Sequence, residues 1–147
     1  MPYVENTILV DGNADDVYQL ASDMESYPQF MENVRSVEVL ERAEDTTVTA
    51  WETEVDGREI SWKERDYFDK QQQKIYYEQI EGDLEEFKGQ WKITAQKEAT
   101  QVTLSVEFEF GIPMLGPVLN PILKKKVASN SEAMLKAIKE EVEGQES

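Results

Sequence analysis

The alternation of apolar and polar residues between Val34 and Phe110 most constrains how this chain can fold. A period of two is typical of strands that bury one face, and turn-like segments divide the region into about six strands: EDT, VDGRE, FDKQQQ, EGDLEE and KEAT. In the clearest two strands the apolar positions are Phe87, Gly89, Trp91, Ile93 and Ala95, then Val102, Leu104, Val106, Phe108 and Phe110. We therefore expect an antiparallel meander with one apolar face and one solvated face.

The residues before this region predict one strand and two short helices. Tyr3 to Val10 mixes β-branched and polar residues and ends at the turn signal DGN. Asn13 is a suitable N-cap for a helix whose apolar stripe is formed by Val17, Leu20, Ala21 and Met24. A second short helix is expected around Pro28, because proline is tolerated in a first helical turn.

The end of the chain predicts a long amphipathic helix. Its apolar face recurs at spacings of three and four residues: Val127, Ser131, Met134, Leu135, Ile138 and Val142. The chain should thus form an α+β, helix-grip fold, in which a curved antiparallel sheet of about seven strands wraps around this helix. A bent sheet cannot touch a straight helix along its whole length, so we expect an internal apolar cavity. We expect one domain over residues 1–147, with a frayed acidic tail from about residue 143 to 147.

The composition excludes several kinds of chemistry. The 147 residues include no Cys and no His, which excludes disulfides, thiolate nucleophiles, thiolate metal ligands and imidazole bases. A formal net charge of −16 opposes binding to nucleic acid, because that affinity depends on Lys and Arg. The carboxylates match no calcium-loop spacing, so we expect neither a metal nor a cofactor.

The first residues carry no basic segment followed by an apolar core, and no apolar run reaches the length of a membrane span. We therefore expect a cytoplasmic protein, and we expect it to be a monomer.

Four segments, in this order and spacing, resemble the START-like helix-grip superfamily, and within it the coenzyme Q-binding and polyketide cyclase/dehydrase group. They are VYQLASDMESYPQFMENVRSVEVLER (17–42), WKERDYFD (62–69), EGDLEEFKGQWKI (81–93) and VEFEFGIPMLGPVLNPIL (106–123). The resemblance covers nearly the whole chain. It implies a pocket for a hydrophobic molecule, such as an isoprenoid quinone, a lipid or a polyketide, between the sheet and the C-terminal helix.

Three functions are open under this resemblance. We favour binding or carrying of such a molecule without catalysis. The first alternative is a polyketide aromatase/cyclase or dehydrase, and the second is a protein-interaction regulator like the ribosome-contacting relatives.

Arg65 falls where the resembling aromatase/cyclases place a cavity arginine, in a strand predicted over residues 58–69. The resemblance implies that its guanidinium holds a substrate oxygen, and that it is the catalytic residue if the protein is an enzyme. The alternative is an exposed arginine paired with a glutamate across strands. The alternation of the strand does not distinguish the cavity position from the exposed one. Val34 stands where those enzymes carry a tyrosine, and Lys63 replaces a small hydroxyl residue, which disfavours the enzyme.

Eleven further side chains are candidates for lining the pocket. For the aromatic members the alternative is ordinary core packing, and for the first two it is a staple of the helical corner onto the sheet. The set comprises Tyr27, Phe30, Trp62, Tyr76, Trp91, Phe108, Phe110, Met114, Leu115, Leu119 and Leu123.

The segment GIPMLGPVLNPILKKK, residues 111–126, contains more apolar side chains than one helix face can hide. The first interpretation is that the three lysines at its end form a solvated helix face. A second hypothesis is that residues 112–126 contact a membrane surface transiently, with the lysines on anionic headgroups, so that a lipid can pass in or out.

Overall fold

Seven strands and a long C-terminal helix form most of the protein. The structure is a computed structural model that describes residues 3–55, 58–109 and 116–145, with side chains described for residues 3–54, 59–109 and 121–144. In chain order the elements are β1 (Tyr3–Val10), α1 (Ala14–Ser22), a 3-10 helix (Met24–Ser26), α2 (Tyr27–Phe30), β2 (Val34–Arg42), β3 (Thr46–Val55), β4 (Arg58–Asp69), β5 (Lys74–Gly82), β6 (Glu86–Ala95), β7 (Thr100–Glu109) and α3 (Gly116–Gln145).

The two short helices lie where the sequence predicts them. Asn13 Oδ1 accepts a 2.9 Å hydrogen bond from the backbone N–H of Asp16, which caps α1 as expected. Pro28 lies in the first turn of α2, where the missing N–H would have no helical partner. Burial of Val17 and Ala21 holds α1 against the core.

The sheet is a single antiparallel layer with the order β1-β7-β6-β5-β4-β3-β2. Strands β2 to β7 form a meander, and β1 returns to pair with β7 along its whole length. This arrangement confirms the predicted meander. The register shifts once between β4 and β5, at Lys63 and Glu64.

One face of the sheet is buried, as the alternation predicts. In β7 the buried apolar side chains are Val102, Leu104, Val106 and Phe108. In β6, Trp91 and Ile93 are buried, whereas Ala95 at the end of the strand is exposed.

Helix α3 is 30 residues long and lies across the inner face of the sheet beside β1. Its buried face consists of Ser131, Leu135, Ile138 and Val142, so the predicted amphipathic pattern is confirmed. Two polar contacts also join it to β1: Asn6 Nδ2 donates to the Ala128 carbonyl at 3.2 Å, and Lys139 Nζ donates to the Leu9 carbonyl at 3.0 Å. The curved sheet that grips a C-terminal helix is therefore present.

Candidate ligand-binding site

A cavity of about 460 Å³ lies between the inner face of the sheet and the first half of α3. Aromatic side chains dominate its walls: Trp51, Trp62, Tyr77, Phe87, Trp91 and Phe108. Ile122 also lines it and is 52% exposed, so the cavity reaches the surface beside this part of α3. Its volume and apolar lining are those of a small-molecule site.

Strands β3 and β4 build one aromatic wall. Trp51 and Trp62 are directly opposite each other in the register, and their rings stack 5.6 Å apart with an angle of 7° between the planes. Phe87 packs on Trp62 at 4.9 Å and on Tyr77 at 5.5 Å. These contacts hold the rings in place, so the wall is preorganised for a flat or elongated apolar ligand.

Two glycines make room for this wall. A Cβ on Gly82 would lie 2.4 Å from the Trp62 Cβ, and a Cβ on Gly89 would lie 1.9 Å from the Ser105 carbonyl oxygen and 2.5 Å from the Tyr77 hydroxyl. The Tyr77 hydroxyl uses the space above Gly89 to donate a 2.7 Å hydrogen bond to the Ser105 carbonyl. Because Gly82 and Gly89 carry no side chains, Trp62 and Tyr77 can occupy these positions.

Two acidic residues on β4 lie inside the protein. Glu64 is 3% exposed and lines the cavity, and Asp66 is fully buried behind it. Glu64 Oε1 accepts a 2.7 Å hydrogen bond from Trp62 Nε1. Asp66 Oδ2 accepts hydrogen bonds from the hydroxyls of Thr47 (3.0 Å) and Thr49 (2.8 Å).

Burial shifts the ionisation of both carboxyl groups. It raises the pKa of the Glu64 carboxyl well above its ordinary value of 4.5, and the neighbouring Asp66 carboxylate raises it further. Burial also raises the pKa of Asp66, while hydrogen bonds from Glu64 and the two threonines oppose that shift. Asp66 Oδ1 accepts no hydrogen bond in the described part of the chain. Burial therefore favours the neutral form of each carboxyl, and ionisation of one affects the other.

Four of the predicted pocket residues line the cavity. Trp62, Trp91 and Phe108 contribute from the sheet, and Leu123 contributes from α3. Trp62, Trp91 and Phe108 also pack in or against the hydrophobic core. Pocket lining and core packing therefore both apply to these three residues.

Three predicted aromatic residues do not reach the cavity. Tyr27 is fully buried beneath it, packs edge-on against Trp51 and Phe30, and donates its hydroxyl to the Ala21 carbonyl. Phe30 packs against the core, and Tyr76 is 40% exposed on the outer face of the sheet. For Tyr27 and Phe30 the structure favours the alternative, a staple of the helical corner.

Arg65 is the main correction. It is exposed, and it alternates with Glu64 and Asp66, whose side chains point inward, so its guanidinium lies on the outer face of the sheet. Its neighbours across the strands are Val48 and Glu78. The assignment of Arg65 to the cavity is wrong because the parity of β4 turns Trp62 and Glu64, not Arg65, towards α3.

The remaining four predictions concern Phe110, Met114, Leu115 and Leu119. The first three lie outside the described residues, as does the side chain of the fourth. Within the proposed membrane contact, Ile122, Lys124 and Lys125 are exposed, and Lys126 is half-buried and lines the cavity.

Sequence reasoning missed several lining residues, above all Glu64 and the pair it forms with Asp66. The alternation of β4 placed Trp62 and Glu64 on one face, so parity could have found the acid once the tryptophan was put inside. The residue type of Glu64 predicts a solvent-exposed position instead, because glutamate is almost never fully buried without a partner. The other missed side chains are Trp51, Thr53, Ile60, Tyr77, Leu84, Phe87, Leu104, Val106, Lys126, Val127, Asn130, Ser131 and Met134.

In the described residues, no group of three or more acidic side chains is arranged to hold a metal ion. None of the described helices combines the length and the apolar character needed to cross a membrane.

The seven-stranded sheet, the gripping helix and the cavity between them define a START-like helix-grip protein. The sequence profile of the polyketide cyclase/dehydrase and lipid transport family matches residues 10–135. The chain belongs to this family.

Two curated relatives from Escherichia coli match most of the chain. The ribosome association toxin RatA of strain K12 is 26% identical over 141 residues, which is 95% of this chain and 89% of that protein. The persistence and stress-resistance toxin PasT of strain O6:H1 has the same identity and coverage.

Two solved structures share the fold over nearly their full length. TTHA0849 from Thermus thermophilus superposes with a TM-score of 0.93 at 28% identity and covers 99% of this chain and 100% of its own. The Zhui aromatase/cyclase from Streptomyces sp. R1128 superposes with a TM-score of 0.87 at 27% identity, covering 96% of this chain and 93% of its own.

Proposed function

We propose that this protein binds or carries a hydrophobic small molecule in the cavity, without changing it chemically. The observation that carries the proposal is the cavity itself, about 460 Å³ of space walled by six aromatic side chains. An isoprenoid quinone, a lipid or a polyketide-like molecule would bury apolar surface there, which is favourable in proportion to the area removed from water.

The comparisons support this class of ligand in general terms. The family description names lipid transport beside polyketide cyclisation and dehydration, and Zhui is an aromatase/cyclase with the same fold. We keep as predictions that this protein acts in the cytoplasm as a monomer and exchanges its ligand at a membrane surface through residues 112–126.

An aromatase/cyclase or dehydrase function is the weaker proposal. Arg65, the residue to which that chemistry was assigned, lies on the outer face of the sheet. The chain also has no His. An enzyme built on this cavity would have to use the Glu64 carboxyl as its acid or base.

The likeness to RatA makes association with ribosomes a second candidate function. It rests on 26% identity over 95% of this chain. The net charge of −16 opposes direct contact with ribosomal RNA, so such a partner would be a protein surface. Co-sedimentation with ribosomal subunits at low and high salt tests this candidate, and we expect the protein to stay in the supernatant.

The first experiment for the binding proposal is native mass spectrometry of the purified protein, with organic extraction of any molecule carried from the expression host. We expect a stoichiometric apolar ligand. An empty protein that also ignores added quinones, lipids and aromatic polyketides would overturn the proposal.

A matched pair of variants tests whether the ligand binds inside the cavity. Met134 lines the cavity from α3, whereas Ala133 on the same helix is exposed. Met134→Trp should fill the cavity and abolish binding with stability retained, because the added indole enters existing space. Ala133→Trp should bind normally, and equal binding by both variants would place the ligand elsewhere.

A further inference from the structure

The Glu64–Asp66 pair lies inside the protein, and no cation of the described residues pairs with it. Both residues are at least 97% buried, with exposed fractions of 3% and 0%. In the described part of the chain, neither carboxyl forms an ion pair with Lys or Arg. Buried charges in proteins are normally paired or bound to a metal. When either carboxyl ionises, its charge therefore has no cationic partner among the residues that the structure describes.

The wall beside Glu64 suits a cation. Trp62 donates its N–H to one Glu64 oxygen, so its ring lies next to the carboxyl, and Trp51 stacks on that ring. Phe87 and Tyr77 continue the same wall. A cation held over an aromatic face is attracted by the ring quadrupole, and tryptophan is the most effective ring.

The Glu64 carboxyl has acceptor capacity left for a ligand. An ionised carboxylate accepts hydrogen bonds through two oxygens, and Trp62 Nε1 donates to Oε1. A ligand carbonyl would meet no donor from the ionised form. A ligand group that donates hydrogen bonds and carries positive charge would meet both needs of the site.

Other titratable groups surround the pair. Tyr77 on β5 and Tyr27 on α2 are buried, and burial raises the pKa of both hydroxyls well above their ordinary value, so both stay neutral. Lys126 on α3 lines the cavity near exposed Ile122, but it is not among the groups that shift the pKa of either carboxyl.

We infer that the ligand is an apolar molecule ending in a protonated amine, with the ammonium hydrogen-bonded to Glu64 and packed on Trp62 while the apolar body fills the cavity. This inference rests on the proposed binding function and names its ligand class. The net charge of −16 assists it, because a strongly negative protein attracts cations and repels anions.

The first test compares three ligands that share one apolar chain: decylamine, decanol and decanoate. Affinities are measured by isothermal titration calorimetry below the concentration at which each compound forms micelles. We expect decylamine to bind at least about ten-fold more tightly than decanol, and decanoate to bind most weakly. Met134→Trp must abolish decylamine binding, because attachment to the acidic surface would survive that variant.

The second test removes the charge. Glu64→Gln keeps an oxygen for the Trp62 N–H, and we expect it to lower decylamine affinity about ten-fold and decanol affinity by much less, because decanol carries no charge. Glu52→Gln on β3 is the control, since Glu52 is exposed. Asp66→Asn is a second variant, which removes the ionisable carboxyl next to Glu64.

The third test uses pH. Burial raises the pKa of Glu64 and an ammonium favours its ionised form, so binding releases a proton and decylamine affinity should rise with pH while the amine stays protonated. Decanol affinity should be flat. Titrations in buffers of different ionisation enthalpy measure the released proton directly.

The outcomes separate this inference from the proposal beneath it. If decanol binds as tightly as decylamine, or if affinity falls with rising pH, the amine inference is wrong and the binding function stands. If none of the three compounds binds and the purified protein is empty, both are overturned.

Discussion

Trp62 Nε1 donates a 2.7 Å hydrogen bond to Glu64 Oε1, and the two residues lie two positions apart on the inner face of β4. The bond joins an aromatic wall to a buried acid, so that one strand supplies both the apolar and the polar part of the site.

Stability should depend on pH through Glu64. A carboxyl whose pKa is raised by folding contributes stability that is complete below its unfolded pKa, near 4.5, and is lost as pH rises through the folded value. Glu64→Gln should remove this loss, making the variant more stable than wild type at pH 8 by on the order of 1 kcal/mol. Urea unfolding between about pH 4 and pH 8 measures the slope. Parallel pH curves for both proteins would show that Glu64 is not the group responsible.

Thr49 should matter more than its size suggests. Its hydroxyl accepts a 2.7 Å hydrogen bond from Trp51 Nε1 and donates one to Asp66, so a single oxygen supports both the indole and the acid. Thr49→Val keeps the shape but leaves the Trp51 N–H without its acceptor and removes one of the two hydroxyl donors to Asp66, so we expect a loss of about 1–3 kcal/mol. Thr7→Val, at an exposed site on β1, is the control and should change stability by less than about 0.5 kcal/mol. Equal stability of the two variants would contradict the role of Thr49.

Gly89 should not tolerate a side chain. The Cβ of Gly89→Ala would collide with the Ser105 carbonyl and the Tyr77 hydroxyl, so we expect a loss of about 1–3 kcal/mol and a displaced Tyr77. Gly144→Ala is the matched control, because a Cβ there meets nothing within 4 Å and alanine favours the helix. Denaturant unfolding compares the two, and a neutral Gly89→Ala would mean that β6 and β7 separate easily at this point.

Arg65 should be dispensable for binding. It lies on the outer face of the sheet, so Arg65→Ala should leave ligand affinity unchanged and shift stability by less than about 0.5 kcal/mol. Calorimetric titration of the retained ligand, or of decylamine, checks this. A ten-fold loss of affinity would return Arg65 to the site.

Much of the architecture could be predicted from local pattern. The period of two in β6 and β7, the Asn13 cap and the spacing of the apolar residues in α3 all correspond to observed elements. These features depend on neighbours a few residues apart, so the chain encodes them without reference to the fold.

The pocket could be predicted only in part. Trp91 and Phe108 were found because their strands alternate cleanly, and both line the cavity. Tyr27 was misplaced because residues on a short helical corner can turn towards the cavity or the core, and only its contacts with Trp51 and Phe30 show which.

Local pattern and composition account for the strands, the helices, the excess of negative charge and the absence of thiol and imidazole chemistry. Local pattern also determines that Trp62 and Glu64 share a face, since parity is a property of any strand. Only the tertiary structure decided that this face is the buried one, because the environment of a side chain depends on what the sheet wraps around. Burial raises the pKa of both carboxyls, while hydrogen bonds from Trp62, Thr47 and Thr49 hold the two acids in place.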